Sequence, residues 1–585
     1  MPGDNTGSAA APVRVLLDGE PFTGAARRIA AELAEDTVAS RLAEQDPSVW
    51  GSGAAGRVGW PGLARSSRPL TGQITALRDR FAAAGAHRVL LVGTPDAVLA
   101  ARLLAGTDPV RSRLAALDSA DPVQVAEALS GETQETVLVV ADAGGDDPVV
   151  AAVADVARTI IADEIGTEAL AARTVHVTEP GSRLDTPDPD GVTVVTLDAD
   201  VPGLFAALGP LGLVPAGLAG VDVGGVLAAA CAAGERLSSD DPDNPALLLA
   251  GALVAARGSV LALRDAERNP GLTGWLVPLL TAAGLVPVPA GPDEPLDPAA
   301  PALDRIGDGP SLVEVHADGD GPAPAPDGGA IRTTADPGAL VVLWQNAAAL
   351  AARALGTDPF VPAPPVARAE LSAETAAAST QPEPEKPAFV DEGVAVYADP
   401  PLPDGVTTVA GALEALAGRA GPDGYLALSA WLDPESDASL AVLAGPLADR
   451  TGLPVAFGWA PGRCAGDTGA DDRAVHCHLT GDAADPRDEP DHDHDHPPAT
   501  TNGNGHGPVD IEIGSGLRFD PFPGTGSDIP AAEGEPEPSG LDSLHAAQAD
   551  AVVAEQRRRG RPVLRLHLAD RLSGLITLAR AAQGG

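Results

Sequence analysis

The chain has 585 residues, too many for one core, so two or three domains are expected. Its 82 acidic residues against 38 Lys and Arg give a net charge of -44, which argues against nucleic acid or an anionic membrane surface as a partner. Hydrophobic residues make up 44% and aromatics only 3%, so the cores must be built from Ala, Val and Leu, a composition that suits α/β layers.

Residues 1–12 read as a loose tail. From Met1 to Arg14 there is no basic segment followed by an apolar one, so no signal peptide is expected. No apolar run reaches the roughly 20 residues of a membrane span. From Gly24 to about Trp50 the apolar spacing is helical, through Ile29, Leu33, Val38 and Leu42. Strand–turn–helix units follow. Arg88–Val92 is a strand closed by Gly93-Thr94-Pro95-Asp96 and a helix from Ala97. Thr136–Val140 is a strand followed by Asp142-Ala143-Gly144-Gly145-Asp146-Asp147 and a helix from Pro148. Strands at Thr174–Thr178 and Val192–Leu197 repeat the signal. This alternation predicts a parallel sheet between helix layers.

A second block has helices at Val223–Gly234, Pro245–Arg257, Thr273–Ala283 and Pro337–Leu355, with strands at Val260–Arg264 and Leu312–His316. A third has helices at 408–418 and 437–450 and strands at 424–430 and 454–458. The chain closes with a helix at Leu541–Arg559, a strand at Val563–Leu568 and a helix at Leu572–Ala582. The domain reading is therefore a tail and helical segment over 1–60, α/β units over 61–210 and 211–372, a Pro- and Ala-rich linker over 373–400, and a C-terminal segment over 401–585. Within that last segment, 482–540 is acidic, His-rich and poor in apolar residues, so disorder is expected. Cys231, Cys464 and Cys477 form no CxxC pair, which suits a reduced, cytoplasmic setting.

Seven words in order carry a family likeness: Arg41-Leu42…Asp46…Trp50…Arg57-Val58-Gly59-Trp60; Leu117-Asp118-Ser119-Ala120-Asp121-Pro122; Val177-Thr178-Glu179-Pro180-Gly181-Ser182-Arg183-Leu184; Gly212-Leu213-Val214-Pro215-Ala216…Gly220-Val221-Asp222-Val223; Asn244-Pro245; Asp358-Pro359-Phe360; and Val563–Leu568. They resemble bacterial glucose-6-phosphate isomerases, and within these the isomerase arm of transaldolase–isomerase fusions. The resemblance implies two sugar-isomerase (SIS) αβα sandwich subdomains with parallel sheets, plus a smaller C-terminal α/β segment. It also implies a role in sugar-phosphate metabolism (glycolysis, gluconeogenesis, the pentose phosphate route), and an active site between subdomains completed by a second subunit.

Isomerising glucose 6-phosphate requires a base to move a proton between C1 and C2, a cation to stabilise the enediolate, and N–H and hydroxyl donors for the phosphate. By the resemblance, the first phosphate loop, GGSS in the family, falls on Gly93-Thr94-Pro95-Asp96-Ala97-Val98. The two serines are replaced by Ala97 and Val98, and Pro95 removes a donor. The second loop, SSKSGGT in the family, becomes Ala141-Asp142-Ala143-Gly144-Gly145-Asp146-Asp147. Its lysine is Ala143, its second serine Gly144 and its threonine Asp147. The family's enediolate arginine falls on Leu204 and the acid of its GES stretch on Ala282. The glutamate and lysine of its FDQ signature fall on Ala367 and Glu370, and its C-terminal histidine on Arg463. Lys386, the sole lysine, lies in the linker. Carboxylates at Asp96, Asp147 and Glu370 would repel a phosphate dianion, though Asp146 and Asp147 also read as ordinary helix caps.

No other word points to a cofactor: none of the phosphate-loop or dinucleotide patterns follows a strand. The Asp491-His492-Asp493-His494-Asp495-His496 tract reads as acidic low complexity, and no metal is expected there. His476-Cys477-His478 reads as a structural strand with both histidines on one face. Arg557, Arg558, Arg559 and Arg561 form a basic cluster expected to pair with the chain's own acids. Three readings stand: a non-catalytic isomerase relative acting as a homodimer or as a heteromer with sugar-phosphate enzymes; an active isomerase with an altered site; and a sensor whose altered, acidic cleft binds a neutral or cationic ligand. By the resemblance, a sugar phosphate or another small ligand is the expected small-molecule partner.

Overall fold

The computed structural model describes residues 12–106, 113–131, 133–186, 191–264, 269–290, 312–319, 328–360, 386–421, 424–434, 436–461, 473–481 and 540–583. Three mixed α/β units share the chain, each built on a sheet whose central strands run parallel.

Strand β1 (Arg14–Asp18) opens the described chain. The first sheet follows: β2 (Arg88–Gly93), β3 (Leu114–Leu117), β4 (Thr136–Ala141), β5 (Thr174–Thr178) and β6 (Thr193–Thr196), all parallel, in the order β3-β2-β4-β5-β6. Alternation along each strand sends side chains to two helix layers. Val89, Leu91, Val137, Val139, Val175 and Val177 face a core with Ile74, Phe81 and Leu213. Leu90, Val92, Leu138 and Val140 face Val149, Val153 and Ile161 of the helix Pro148–Ile165. Burial on both faces is why β2 and β4 read as unbroken apolar runs.

The second sheet has β7 (Val260–Arg264), β8 (Pro287–Ala290), β9 (Leu312–His316) and β10 (Gly329–Thr334) in parallel. The order is β1-β10-β9-β7-β8, with β1 antiparallel on the edge. The segment expected as tail and helix therefore also contributes a strand to this unit. Its exposed-and-half-buried alternation is that of an edge strand, and only five residues long, it gave no clear periodic signal. One continuous core joins the first and second sheets through the helices Pro95–Ala105, Pro210–Leu218, Pro245–Ala255, Pro270–Ala282 and Pro337–Leu355. Among the described residues, Pro337–Leu355 is the one helix long and apolar enough to cross a bilayer, and 83% of its apolar window is buried in this core.

The third sheet contains β11 (Phe389–Asp391), β12 (Val394–Asp399), β13 (Tyr425–Trp431), β14 (Val455–Trp459), β15 (Ala474–Gly481) and β16 (Val563–Leu568), in the order β11-β12-β16-β15-β13-β14. Residues 389–399 thus form a hairpin, correcting the linker expected over 373–400. The turn is Glu392-Gly393, both at positive φ, which is the geometry a two-residue hairpin needs. The helix expected over 437–450 is a 3-10 turn at Ala438–Leu443 followed by a helix at Ala444–Thr451. Pro446 has no N–H to bond back to Val442, so an α-helix cannot run through that point. The helix Gly540–Arg558 sits between units. Leu541, Leu544 and Ala551 pack on the outer core of the first sheet, and Gln556 reaches His478 of β15.

Several of the words behind the family likeness meet in space. Trp50 lies edge-on to Phe360 with centroids 4.9 Å apart, and Phe205 is 4.7 Å from Trp60 and 5.1 Å from Phe360. Arg57 pairs with Asp358 at 3.0 Å. In an aromatic-poor chain this cluster ties the N-terminal segment to the second unit.

Candidate functional site

The candidate site lies at the C-terminal ends of β2 and β4, where two loops lead into the helices Pro95–Ala105 and Pro148–Ile165. In open parallel sheets this is where ligands are usually held.

In the first loop Gly93 ends β2. An added Cβ would stand 3.0 Å from the Ala141 carbonyl oxygen and 3.2 Å from Ala97 Cβ, so the loop is pressed between β4 and the helix. The Thr94 N–H donates to the Ala141 carbonyl at 3.0 Å, and Thr94 stands at the helix N-cap without a side-chain capping bond. Pro95 begins the helix, and Ala97 and Val98 are buried in the core. Asp96, half-buried in the first turn, rests against Gly203, where a Cβ would overlap its carboxylate. Desolvation pushes its pKa up to about 6.

The second loop is closed on itself. Asp142, 1% exposed, accepts from the Gly144 N–H at 3.1 Å and the Asp147 N–H at 2.8 Å. Asp147 caps the following helix, its carboxylate accepting from Val149 N–H at 2.9 Å and Val150 N–H at 3.2 Å. Two internal carboxylates therefore occupy the N–H donors that a phosphate would use at this helix terminus. From outside, the turn after β5 covers the loop. The Thr178 hydroxyl donates to the Asp142 carbonyl at 2.6 Å, and the Glu179 N–H donates to the Ala143 carbonyl at 3.0 Å. Gly145, at φ +66, leaves room for a Cβ only 3.0 Å from Leu184 N and 3.1 Å from Arg183 N. Asp146 is exposed.

Leu204 sits in the 3-10 turn Gly203–Phe205, packed against the core, and its carbonyl accepts from Trp275 Nε1 at 3.1 Å. The turn thus brings Asp96 and Leu204 together. Ala282 ends the same helix as Trp275, seven residues and about 10 Å further on, beside β8, so it does not join them. Ala367, Glu370 and Arg463 lie outside the described residues, as do Asp491–His496. Lys386 is exposed just before β11. In the sequence Asp147 reads as a helix cap, but Asp142 stands there only as a member of the loop and Thr178 only as part of a family word. The signal available was the Asp-x-Gly spacing of an Asx turn at Asp142-Ala143-Gly144.

His476 and His478 lie on β15 as expected, with their rings stacked 6.4 Å apart. His478 accepts from Trp431 Nε1 at 3.1 Å on Nδ1, so its Nε2 donates to Gln556 Oε1 at 2.7 Å. Burial lowers its pKa to about 4. Arg557 pairs with Asp399, and Arg558 and Arg559 pair with Glu555, so these arginines answer the chain's own acids.

No family model matches the chain. A stretch of 95 residues, 16% of this chain, is 34% identical to a glucose-6-phosphate isomerase of Rubrobacter xylanophilus. The match spans only 22% of that protein. Among solved structures, a hypothetical protein of Thermus thermophilus is 19% identical with a TM-score of 0.49, over 62% of this chain and 100% of that one. A glucose-6-phosphate isomerase of Chlamydia trachomatis is 14% identical with a TM-score of 0.46, over 62% and 86%. A tagatose-6-phosphate ketose/aldose isomerase of Escherichia coli is 9% identical with a TM-score of 0.30, over 56% and 94%.

Proposed function

We propose that this chain is a relative of the glucose-6-phosphate isomerases that keeps their layered scaffold and does not isomerise sugar phosphates. The observation carrying this reading is the self-satisfied second loop. The N–H groups of Gly144, Asp147, Val149 and Val150 already donate to Asp142 and Asp147. A phosphate would have to displace two carboxylates, one of them buried, and then sit beside their charge. Like charges a few Å apart in a poorly solvated pocket cost kilocalories.

The remaining positions support the same reading. The place of the enediolate cation is taken by Leu204, whose turn is held by Trp275 and Asp96 instead. Ala97 and Val98 offer no hydroxyl. By contrast, the shared words at Trp50, Trp60 and Phe360 are kept in contact, as a structural role requires. On this reading the protein serves sugar-phosphate metabolism through association, as a homodimer or with a sugar-phosphate enzyme.

The test is a coupled assay of fructose 6-phosphate conversion to glucose 6-phosphate with the pure full chain, run beside an active isomerase. A thermal melt with fructose 6-phosphate accompanies it. The expected result is no turnover above blank and no shift in melting temperature. Turnover would overturn the proposal and establish an isomerase with an altered site. A melting shift without turnover would instead favour a sugar-phosphate sensor.

A further inference from the structure

We propose that the first unit carries a second, separate site for a small organic anion, at the opposite end of its sheet. A cavity of about 420 Å³ opens there between the helix Arg68–Ala83 and the end of the helix Pro210–Leu218, a volume within the range of small-molecule sites. Phe81, Val137 and Leu218 give it an apolar floor, and Arg78 and Arg113 line it. Val137 is near the start of β4 and Arg113 immediately precedes β3, whereas Asp96 and Asp142 follow the strand ends. A six-residue strand separates the two places by roughly 20 Å.

The charge pattern identifies the ligand class. This chain has 82 acidic residues for 38 basic ones, and many of its arginines find a carboxylate, as Arg41 does with Asp46 and Arg450 with Glu414. Arg78 and Arg113 have neither an ion pair nor a hydrogen bond from their side chains among the described residues. Nearby, Arg80 donates to Thr193, and Arg173 to the carbonyls of Gln134 and Ala84, so this edge stays basic. Asp79 is exposed on the rim, and His87 is engaged with Glu135 at 2.6 Å. The backbone of Arg113 is fixed: its N–H donates to the Ala219 carbonyl at 3.3 Å and its carbonyl accepts from the Val89 N–H at 2.8 Å. Two arginines lining an apolar cavity, Arg78 half-buried and Arg113 exposed at its mouth, suit a carboxylate or phosphate monoester on an apolar body, because the planar guanidinium pairs oxyanions bidentately.

The probes are benzoate and phenyl phosphate, with neutral benzamide as the isosteric control, titrated against the full chain at constant ionic strength. The expected result is binding of at least one anion, at least tenfold tighter than benzamide, with the stronger of the two naming the headgroup. The double variant R78A/R113A should lose at least tenfold in affinity, while its ligand-free melting temperature stays that of the wild type. Equal binding of benzamide, retained affinity in the double variant, or no binding of either anion at 20 mM would each overturn the proposal. Should the double variant melt early, R78Q and R113Q, each tested alone, supply the same comparison.

Discussion

Replacing Asp96 by Asn should stabilise the protein at neutral pH and leave it unchanged in acid. The Asp96 carboxyl is half-buried at the start of its helix against Gly203, and no described residue donates a hydrogen bond to it. Desolvation raises its pKa from 3.8 to about 6. The folded state therefore holds this proton more tightly than the unfolded chain does. The stabilisation it gives is fully present below pH 3.8 and is lost as pH rises through about 6. At about 1.4 kcal/mol per unit, the ionised carboxylate destabilises the fold by at most roughly 3 kcal/mol above that pH, less where solvent reaches it. Asn has nearly the same shape and cannot ionise, so it removes this cost. Urea and thermal unfolding of wild type and Asp96→Asn at pH 7.5 and pH 4 measure it. The expected gap is about 1–3 kcal/mol at pH 7.5, shrinking steeply towards pH 4. An equal gap at both pH values, or a less stable variant at pH 7.5, would refute the reasoning.

Gly338→Ala should destabilise by about 1–3 kcal/mol or more, because the new Cβ would overlap the Val226 carbonyl oxygen and backbone cannot yield as a side-chain tip can; a melting temperature unchanged from wild type would contradict the close helix contact. His478 should remain neutral, with the proton on Nε2, down to about pH 4. Its folded pKa lies below the ordinary 6.5, so stability is lost as pH falls from 6.5 towards 4, by up to roughly 3 kcal/mol. Histidine-selective NMR reads this directly, and titration of that ring near pH 6.5 would contradict the buried Trp431–His478–Gln556 chain.

Much of the architecture was legible in the amino-acid order. The strands RVLLV and TVLVV, buried on both faces, announce themselves as apolar runs, and the helices from Pro148, Pro245 and Pro337 carry Pro at their first position, where a missing N–H costs nothing. Local chemistry of that kind is written in a few consecutive residues. That Ala97, Val98, Ala143 and Leu204 bring neither a hydroxyl nor a cation was readable for the same reason, since such a group is either present in the side chain or absent.

What only the tertiary structure decided was where groups distant in sequence meet. Edge strands such as β1 and the β11–β12 hairpin have weak local signals, and their partners β10 and β16 lie far away in sequence, as in the pairs Arg14↔Thr334 and Val394↔Leu568. The helix Gly540–Arg558 belongs by sequence to the last segment, yet it packs on the first sheet, because its Leu541, Leu544 and Ala551 find their cover there. Asp142 looked like one acid among several; its burial and its bonds to Gly144 and Asp147 make it the group that fills the loop. That Arg78 and Arg113 line one cavity is likewise a product of packing. Periodicity and side-chain chemistry are local properties, whereas desolvation and hydrogen-bond occupancy depend on which surfaces the folded chain brings together.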